Sequence, residues 1–190
     1  MKTGEFEVSD EKLLMMVKAG DKDAFRHLVE RYKKKAYYLA LKLVGDPADA
    51  MDISQEAFIR VYNARKRYDQ DRSFFSWFYT IIANLCKNHL KKLKVRADYK
   101  RSTQDEARAG SGERALSPDL LVEADETREQ VWEAIEKLSF EHREIIVLRH
   151  FEDMSYEEIA ESLGIPVGSV MSRLYYARKK MKEELGILYG

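Results

Sequence analysis

Apolar residues recur along this chain every three to four positions, and the runs that keep this spacing predict helices and little else. Ser9 can cap a first helix that extends through Ala19, with Gly20 as its stop. A second helix is predicted from Asp23 to Val44, where Phe25, Leu28, Val29, Tyr32, Ala36, Leu39, Ala40 and Leu43 keep helical spacing until Gly45 ends the run. Asp46 followed by Pro47 supplies an N-cap and then proline at the first helical position, opening a third helix to about Ala64. Beyond the polar stretch from Arg65 to Ser73, a fourth helix is predicted from Phe74 to about Val95. Residues 9–97 therefore form one helical domain.

From 98 to 125 the periodicity dissolves into small and polar residues, with Gly110-Ser111-Gly112 and Ser117-Pro118 as its markers, so this stretch reads as a flexible linker. Helical spacing returns with Val131, Trp132, Ile135 and Leu138, and Ser139 can cap a next helix with Phe140, Ile145, Ile146 and Leu148 on its buried side. Ser155-Tyr156-Glu157-Glu158 is a capping box that opens a short helix with Ile159, Ala160 and Leu163 inward and Gly164 at its end. Ile165-Pro166-Val167 then turns the chain into a last helix through about Leu185, giving a helix-turn-helix within a second domain, 126–187. The expected fold class is all-α, with two small helical domains on a flexible linker. Such a linker predicts mobility, and a fixed closed arrangement would signal autoinhibition.

Composition narrows the classes. Nine Gly and three Pro among 190 residues leave little room for a turn-rich β fold, and 45% hydrophobic with 35% charged residues is a globular balance. No apolar stretch is long enough to span a membrane, and the opening Met1-Lys2-Thr3-Gly4-Glu5 lacks a signal-peptide pattern. The single cysteine, Cys86, excludes an internal disulfide and fits a cytoplasmic setting. His27, His89, His142 and His150 are scattered without metal-ligand spacing, Cys86 has no evident His partner, and glycine-rich phosphate loops are absent. No catalytic residue, metal ligand or cofactor is assigned, and the chain does not read as an enzyme.

The 33 basic residues balance the 33 acidic ones, so only their distribution is informative. Basic residues gather from Lys87 to Arg101 and again from Arg173 to Lys182, while acid collects at Asp46, Asp49, Asp52 and Glu56. Two separate basic patches suit two contacts with a polyanion, although runs of charge also describe solvated helix faces. On the last helix, Val167, Val170, Leu174, Ala177 and Met181 share one side. The opposite side carries Gly168, Ser169, Ser172, Tyr175, Tyr176 and Lys179, with Arg173, Arg178 and Lys180 beside it. Small and hydroxyl-bearing residues flanked by cations suit entry into a DNA groove, which a plain helical corner does not require.

The fourth helix opens with five aromatics in the six residues from Phe74 to Tyr79. Phe74, Trp77, Phe78, Ile81 and Leu85 share a side expected in the core, while Ser76, Thr80, Asn84, Lys87, Lys91 and Lys94 share another. That polar strip turns basic and can track a phosphate backbone, with Tyr79 or Phe75 available to stack on an unpaired base. On the third helix, Asp52, Gln55, Glu56, Ile59 and Asn63 form a face that repels DNA and suits protein docking, although an ordinary solvated face has the same spacing.

Together these stretches resemble the bacterial sigma-70 family, in particular its short extracytoplasmic-function (ECF, group IV) branch. Three segments carry the resemblance: Gly45 to Ala50 with Asp52 to Phe58, Phe74 to Leu90, and Ser155 to Ala160 with Pro166 to Val170. The resemblance implies that Asp52, Gln55, Glu56 and Ile59 hold the clamp helices of the largest subunit of core RNA polymerase, and that the second domain meets its flap region. It implies that Tyr68, Arg72, Tyr79, Thr80, Asn84, Lys87 and Lys91 serve the −10 element, the loop from Tyr68 to Ser73 receiving a flipped-out base. It assigns Ser169, Ser172, Arg173, Tyr176 and Lys179 to the −35 element of promoter DNA. An anti-sigma factor is the expected inhibitor.

Relatives commonly have a cation at the position of Met171 and many have Arg or His at that of Tyr176, so the −35 preference does not transfer with the resemblance; the docking helix has Met51 where an acid is usual, which weakens one charge contact without removing the patch. The rival reading is a stand-alone helix-turn-helix regulator that binds duplex DNA without polymerase. It accounts for the second domain but gives the aromatic-basic helix and the acidic patch no task, and no dimer seam is evident.

Overall fold

The computed structural model of the chain describes residues 8–69, 72–103 and 126–186, and among them every regular element is helical. Helix α1 spans Asp10–Lys18, α2 Lys22–Val44, α3 Pro47–Ala64 and α4 Phe74–Thr103; a 3-10 turn, Arg65–Arg67, follows α3. The second half contains α5 Glu126–Glu136, α6 Phe140–His150, α7 Tyr156–Leu163 and α8 Val167–Glu184. Beyond residue 103, the expected flexible linker lies outside the described residues.

Local chemistry sets the boundaries. The Ser9 hydroxyl accepts from the Lys12 amide at α1, Asp21 accepts from Asp23 and Ala24 at α2, and Asp46 accepts from Asp49 ahead of Pro47 at α3. Gly45 closes α2 in the left-handed region, φ 80°, where a side chain would be strained. The capping box of Ser155 and Glu158 is closed in both directions, and its amide hydrogen bond holds the Glu158 carboxylate below its ordinary range. Helix α4 runs past the expected Val95 to Thr103, because nothing in the basic segment breaks it.

Helices α1 to α4 close around an aromatic centre. Phe74 packs edge-on against Tyr32 with ring centroids 5.0 Å apart, and Phe78 meets Phe58 at 5.0 Å. Tyr32 also donates to Asp10, which ties α1 to α2, and Glu11 accepts from the Phe74 amide at 3.3 Å. The buried face of α4 is Phe74, Phe78, Tyr79, Ile82, Ala83, Leu85 and Cys86, whereas Trp77 and Ile81 are only half-buried. The expected core stripe is thus rotated, because a second layer lies on the other flank of the helix.

That layer is the second half of the chain. Helix α7 packs on α4 and α6 packs on α2, so the buried side chains of both halves join in one connected cluster. Arg143, buried on α6, donates to the Leu43 carbonyl at the end of α2 at 2.7 Å and to the carbonyls of Glu136 and Leu138. Glu152 reaches between two lysines of α2, 3.0 Å from Lys35 and 3.5 Å from Lys42. The two domains occupy a closed arrangement.

Candidate nucleic-acid and polymerase interfaces

The acidic face of α3 points outward because Ala50, Ile53, Ala57, Phe58 and Val61 claim the inward side. Asp52, Gln55 and Ile59 are exposed, and Ile59 keeps more than half its surface at 55%. Glu56 is half-buried and accepts from Arg60 Nε at 2.9 Å, one helical turn on. Asp49, which also belongs to the acidic run, pairs instead with His89 at 2.8 Å. Beside this face, Met51, Gln55 and Phe58 join Lys33, Lys34, Tyr37 and Tyr38 of α2 in lining an open groove of about 710 Å³. An acidic rim around an exposed isoleucine and an apolar groove suits a protein partner with basic and apolar side chains.

The expected −10 residues divide into two groups. Asn84, Lys87 and Lys91 stand exposed along α4, with Lys87 loosely paired to Glu141 at 3.9 Å. The others are engaged. Tyr68 is buried against Trp77 and its hydroxyl donates to the Arg72 carbonyl at 2.5 Å, ahead of α4; residues 70 and 71 of the expected base-receiving loop lie outside the described residues. Arg72 itself donates to the Glu161 carbonyl of α7 at 3.2 Å. Thr80 donates to Ser76 within its own helix and lies 3.0 Å from the Ser162 carbonyl at the end of α7. Ser76, expected on the exposed strip, is 2% exposed, and Tyr79 is wholly buried beneath the second domain. Phe75 carries Lys35 over its ring at 3.9 Å.

Between the domains lies a cavity of about 240 Å³ lined by Tyr79, Thr80 and Asn84 from α4, Glu144 from α6, Ser162 from α7 and Arg173 from α8. Burial pushes the Glu144 carboxyl up from 4.5 to about 7, against the opposing pull of Tyr79, Lys87 and Arg173. Burial likewise raises the Tyr79 hydroxyl, with Glu144 adding to the effect. Arg173 is therefore half-buried at this cavity as well as flanking the strip on α8.

On α8, Val170, Leu174 and Ala177 face inward, while Val167, expected inward, is exposed because it lies in the first turn beyond the reach of the core. Gly168, Met171, Ser172, Tyr175, Tyr176 and Lys179 are exposed and Ser169 is half-exposed. The Ser172 hydroxyl donates to the Gly168 carbonyl at 3.0 Å, so it must turn to meet a base. Tyr175 and Tyr176 stand edge to face, 5.3 Å apart, on the surface. The residues expected to meet the −35 element are thus displayed on one face, Arg173 being half-buried, while Tyr68, Arg72, Tyr79 and Thr80 of the expected −10 set are engaged within the protein.

Sequence reasoning passed over Arg143, Glu144, Glu152 and Ser162. The available signal was Glu144, a carboxylate four residues after Phe140 and beside Ile145 on the inward side of α6. Among the described residues no cluster of three or more His, Cys, Asp or Glu could hold a metal ion, and no helix is long and apolar enough to cross a membrane.

Comparison with known proteins matches residues 28–96 to Sigma-70 region 2 and residues 128–181 to Sigma-70, region 4. The RNA polymerase sigma-H factor of Pseudomonas aeruginosa is 37% identical over 93% of both chains. The ECF RNA polymerase sigma factor SigW of Bacillus subtilis is 34% identical, covering 94% of this chain and 98% of that one, and the ECF RNA polymerase sigma-E factor of Escherichia coli K12 is 34% identical over 94% and 95%. In fold, the chain is similar to CnrH in its complex with the cytosolic domain of CnrY, with TM-score 0.66 and 26% identity over 93% of this chain and 97% of that one. It also shares the fold of the sigma factor RpoE from Bartonella quintana, solved with the anti-sigma factor NepR, with TM-score 0.67 and 22% identity over 89% and 100%.

Proposed function

The chain belongs to the sigma-70 family, among its ECF RNA polymerase sigma factors, and we propose how its surfaces divide the work of an alternative sigma factor in the bacterial cytoplasm. The exposed face of Asp52, Gln55, Glu56 and Ile59 docks the clamp helices of core RNA polymerase, and the second domain meets the flap. Asn84, Lys87 and Lys91, joined after opening by Thr80, Tyr79 and Arg72, hold the single strand of the −10 element, with Tyr68 shaping the loop that takes a flipped base. Ser169, Ser172, Arg173, Tyr176 and Lys179 read the −35 element in the major groove. An anti-sigma factor covers these surfaces, a reading in keeping with the 26%-identical CnrH, which was solved in complex with a second protein, the cytosolic domain of CnrY. No catalytic step is assigned to any residue.

The observation that carries this reading is the coexistence, in one chain, of an acidic-apolar docking face, an aromatic helix with a basic strip, and a helix-turn-helix. A stand-alone regulator needs only the last. The test is in vitro transcription with core RNA polymerase on fragmented genomic DNA, sequencing transcript starts. Discrete starts sharing elements near −10 and −35 are expected. Duplex binding that persists without polymerase, and no initiation with it, would instead establish the stand-alone regulator.

Two substitutions separate the DNA contacts. Lys87→Ala with Lys91→Ala is expected to slow promoter opening about tenfold and lower the slope of log binding against log salt by about one to two, since each lysine meets at most one phosphate. Stopped-flow opening kinetics at several salt concentrations measure both. Ser172→Ala is expected to reduce discrimination at one −35 base position by about tenfold, the loss falling on sites that carry the preferred base there and sparing the others, because a base-edge bond is worth about 1–3 kcal/mol. Binding to a randomised −35 library reads this directly.

A further inference from the structure

We infer that the closed arrangement of the two domains is a proton-gated autoinhibited state, in which Glu144 of α6, seated on Tyr79 of α4, sets the balance between closed and open forms. That the covered surface is a nucleic-acid strip rests on the function proposed above; the gating of closure does not.

Thr80, Tyr79 and Arg72, three of the residues assigned to the −10 strand, are engaged by α6 and α7, while the strip on α8 stays exposed. Closure therefore engages Tyr79, Thr80 and Arg72 while Asn84, Lys87 and Lys91 remain exposed beside them, and it leaves the strip on α8 free apart from the half-buried Arg173. Glu144 is 8% exposed at the centre of this contact. The buried Tyr79 hydroxyl lies toward the Glu144 carboxyl, with Cys86 and Glu152 also near enough to act on it, and none of them gives it a well-formed hydrogen bond. The Ser162 hydroxyl on the same cavity is also buried without a partner.

The charges around Glu144 do not suffice to hold it ionised. Lys87 and Cys86 face it from α4, Glu141 from its own helix, and Arg173 from α8. Lys87 is 63% exposed and shared with Glu141, so water screens it, and Arg173 is only half-buried. Burial wins, and the carboxyl keeps its proton to about pH 7 in the closed form. Opening returns Glu144 to water and to its ordinary 4.5.

The sign follows from linkage. The closed form binds the proton more tightly, so acid favours closure. The ratio of closed to open falls about tenfold per pH unit between 4.5 and about 7 and is level above that, because both forms are then ionised. Acidification from neutral pH drives the chain shut.

Energy transfer between dyes at His27→Cys on α2 and Glu183→Cys on α8 measures this without DNA. Cys86 does not compete for label, being buried with its thiol pushed up to about 12. The measurement runs from pH 8 to pH 5 in the parent and in a Glu152→Ala background, whose weakened closure brings the equilibrium into range, with circular dichroism following the fold. Efficiency is expected to rise as pH falls below 7, and Glu144→Gln, a neutral isostere, is expected to stay closed and flat with pH. Efficiency independent of pH in both backgrounds overturns the proposal, as does a Glu144→Gln chain that responds as its parent does. Binding of −10 single strand at pH 6 and pH 8 separately tests what closure hides: loss of pH-dependent binding with intact pH-dependent transfer would fault the strand assignment and leave the gate standing.

Discussion

Asp52→Lys is expected to weaken binding of core RNA polymerase by at least about a hundredfold while leaving the melting temperature of the free protein within a degree or two. The side chain is exposed on α3 and lies away from the buried stripe of that helix, so the fold has little stake in it. A docking surface does: replacing an attraction with like charge at a protein interface costs several kcal/mol, and about 3 kcal/mol is already a hundredfold. The neighbours make useful controls. Glu56→Lys also breaks the pair with Arg60, a surface i,i+4 contact worth about 0.3–0.5 kcal/mol, so its effect on stability stays small. Asp49→Lys is a poor probe, because Asp49 sits in the first turn of α3 and pairs with His89. Anisotropy titration of labelled protein with core polymerase, beside thermal melts, measures both quantities. Near-parental affinity for Asp52→Lys would move the docking site to another face.

The elements were legible where local chemistry decides them. Ser9, Asp46-Pro47 and the Ser155–Glu158 box fix helix starts through bonds made within four residues, and Gly45 and Gly164 fix ends through a backbone conformation open to few other residues. The outward face of α3 was legible for the same reason: a single amphipathic helix with one partner layer has one inside. Helix α4 has two partner layers, and there the wheel misleads. Ser76 and Thr80 look like solvent-facing positions because they are polar, yet Ser76 is buried and Thr80 reaches the end of α7, more than 80 residues away in the chain. Small hydroxyl residues suit close helix contact as well as water, and spacing does not distinguish the two.

The closed arrangement illustrates the same limit. A linker rich in small residues predicts freedom, but the balance between open and closed is set by what the facing surfaces offer, and those lie on separate halves. Arg143 and Glu144 mark the contact only in retrospect: charged residues within the apolar stripe of α6, where a solitary domain would place neither. They point to a partner supplying the carbonyl of Leu43 and the hydroxyl of Tyr79.

Glu152→Ala is expected to open the domains, increasing the open-to-closed ratio about a hundredfold and raising the affinity of the free protein for −10 single strand correspondingly. Glu152 has 7% of its side chain exposed and is the anion between Lys35 and Lys42. Lys42, 17% exposed, already has its pKa lowered by burial, with Glu152 the main influence keeping it charged. Removing one member of such a pair leaves an uncompensated charge and typically costs about 3–5 kcal/mol; the residual exposure of Lys42 and the ring of Phe151 beneath its ammonium, 4.6 Å away, place this case at the lower end. Opening relieves the cost by returning Lys42 to water, so the loss falls on the contact between domains and not on the fold of either. A second replacement tests that assignment. Lys42→Met with Glu152→Leu removes both charges and their desolvation together and is expected to restore closure, since an apolar pair of similar volume commonly replaces a buried ion pair without loss. Energy transfer between the domains and strand-binding titrations should move together across the set. If Glu152→Ala released the strip without the double variant covering it again, electrostatic pairing would not be what holds this edge of the contact, and the apolar packing of α7 on α4 would have to account for closure alone.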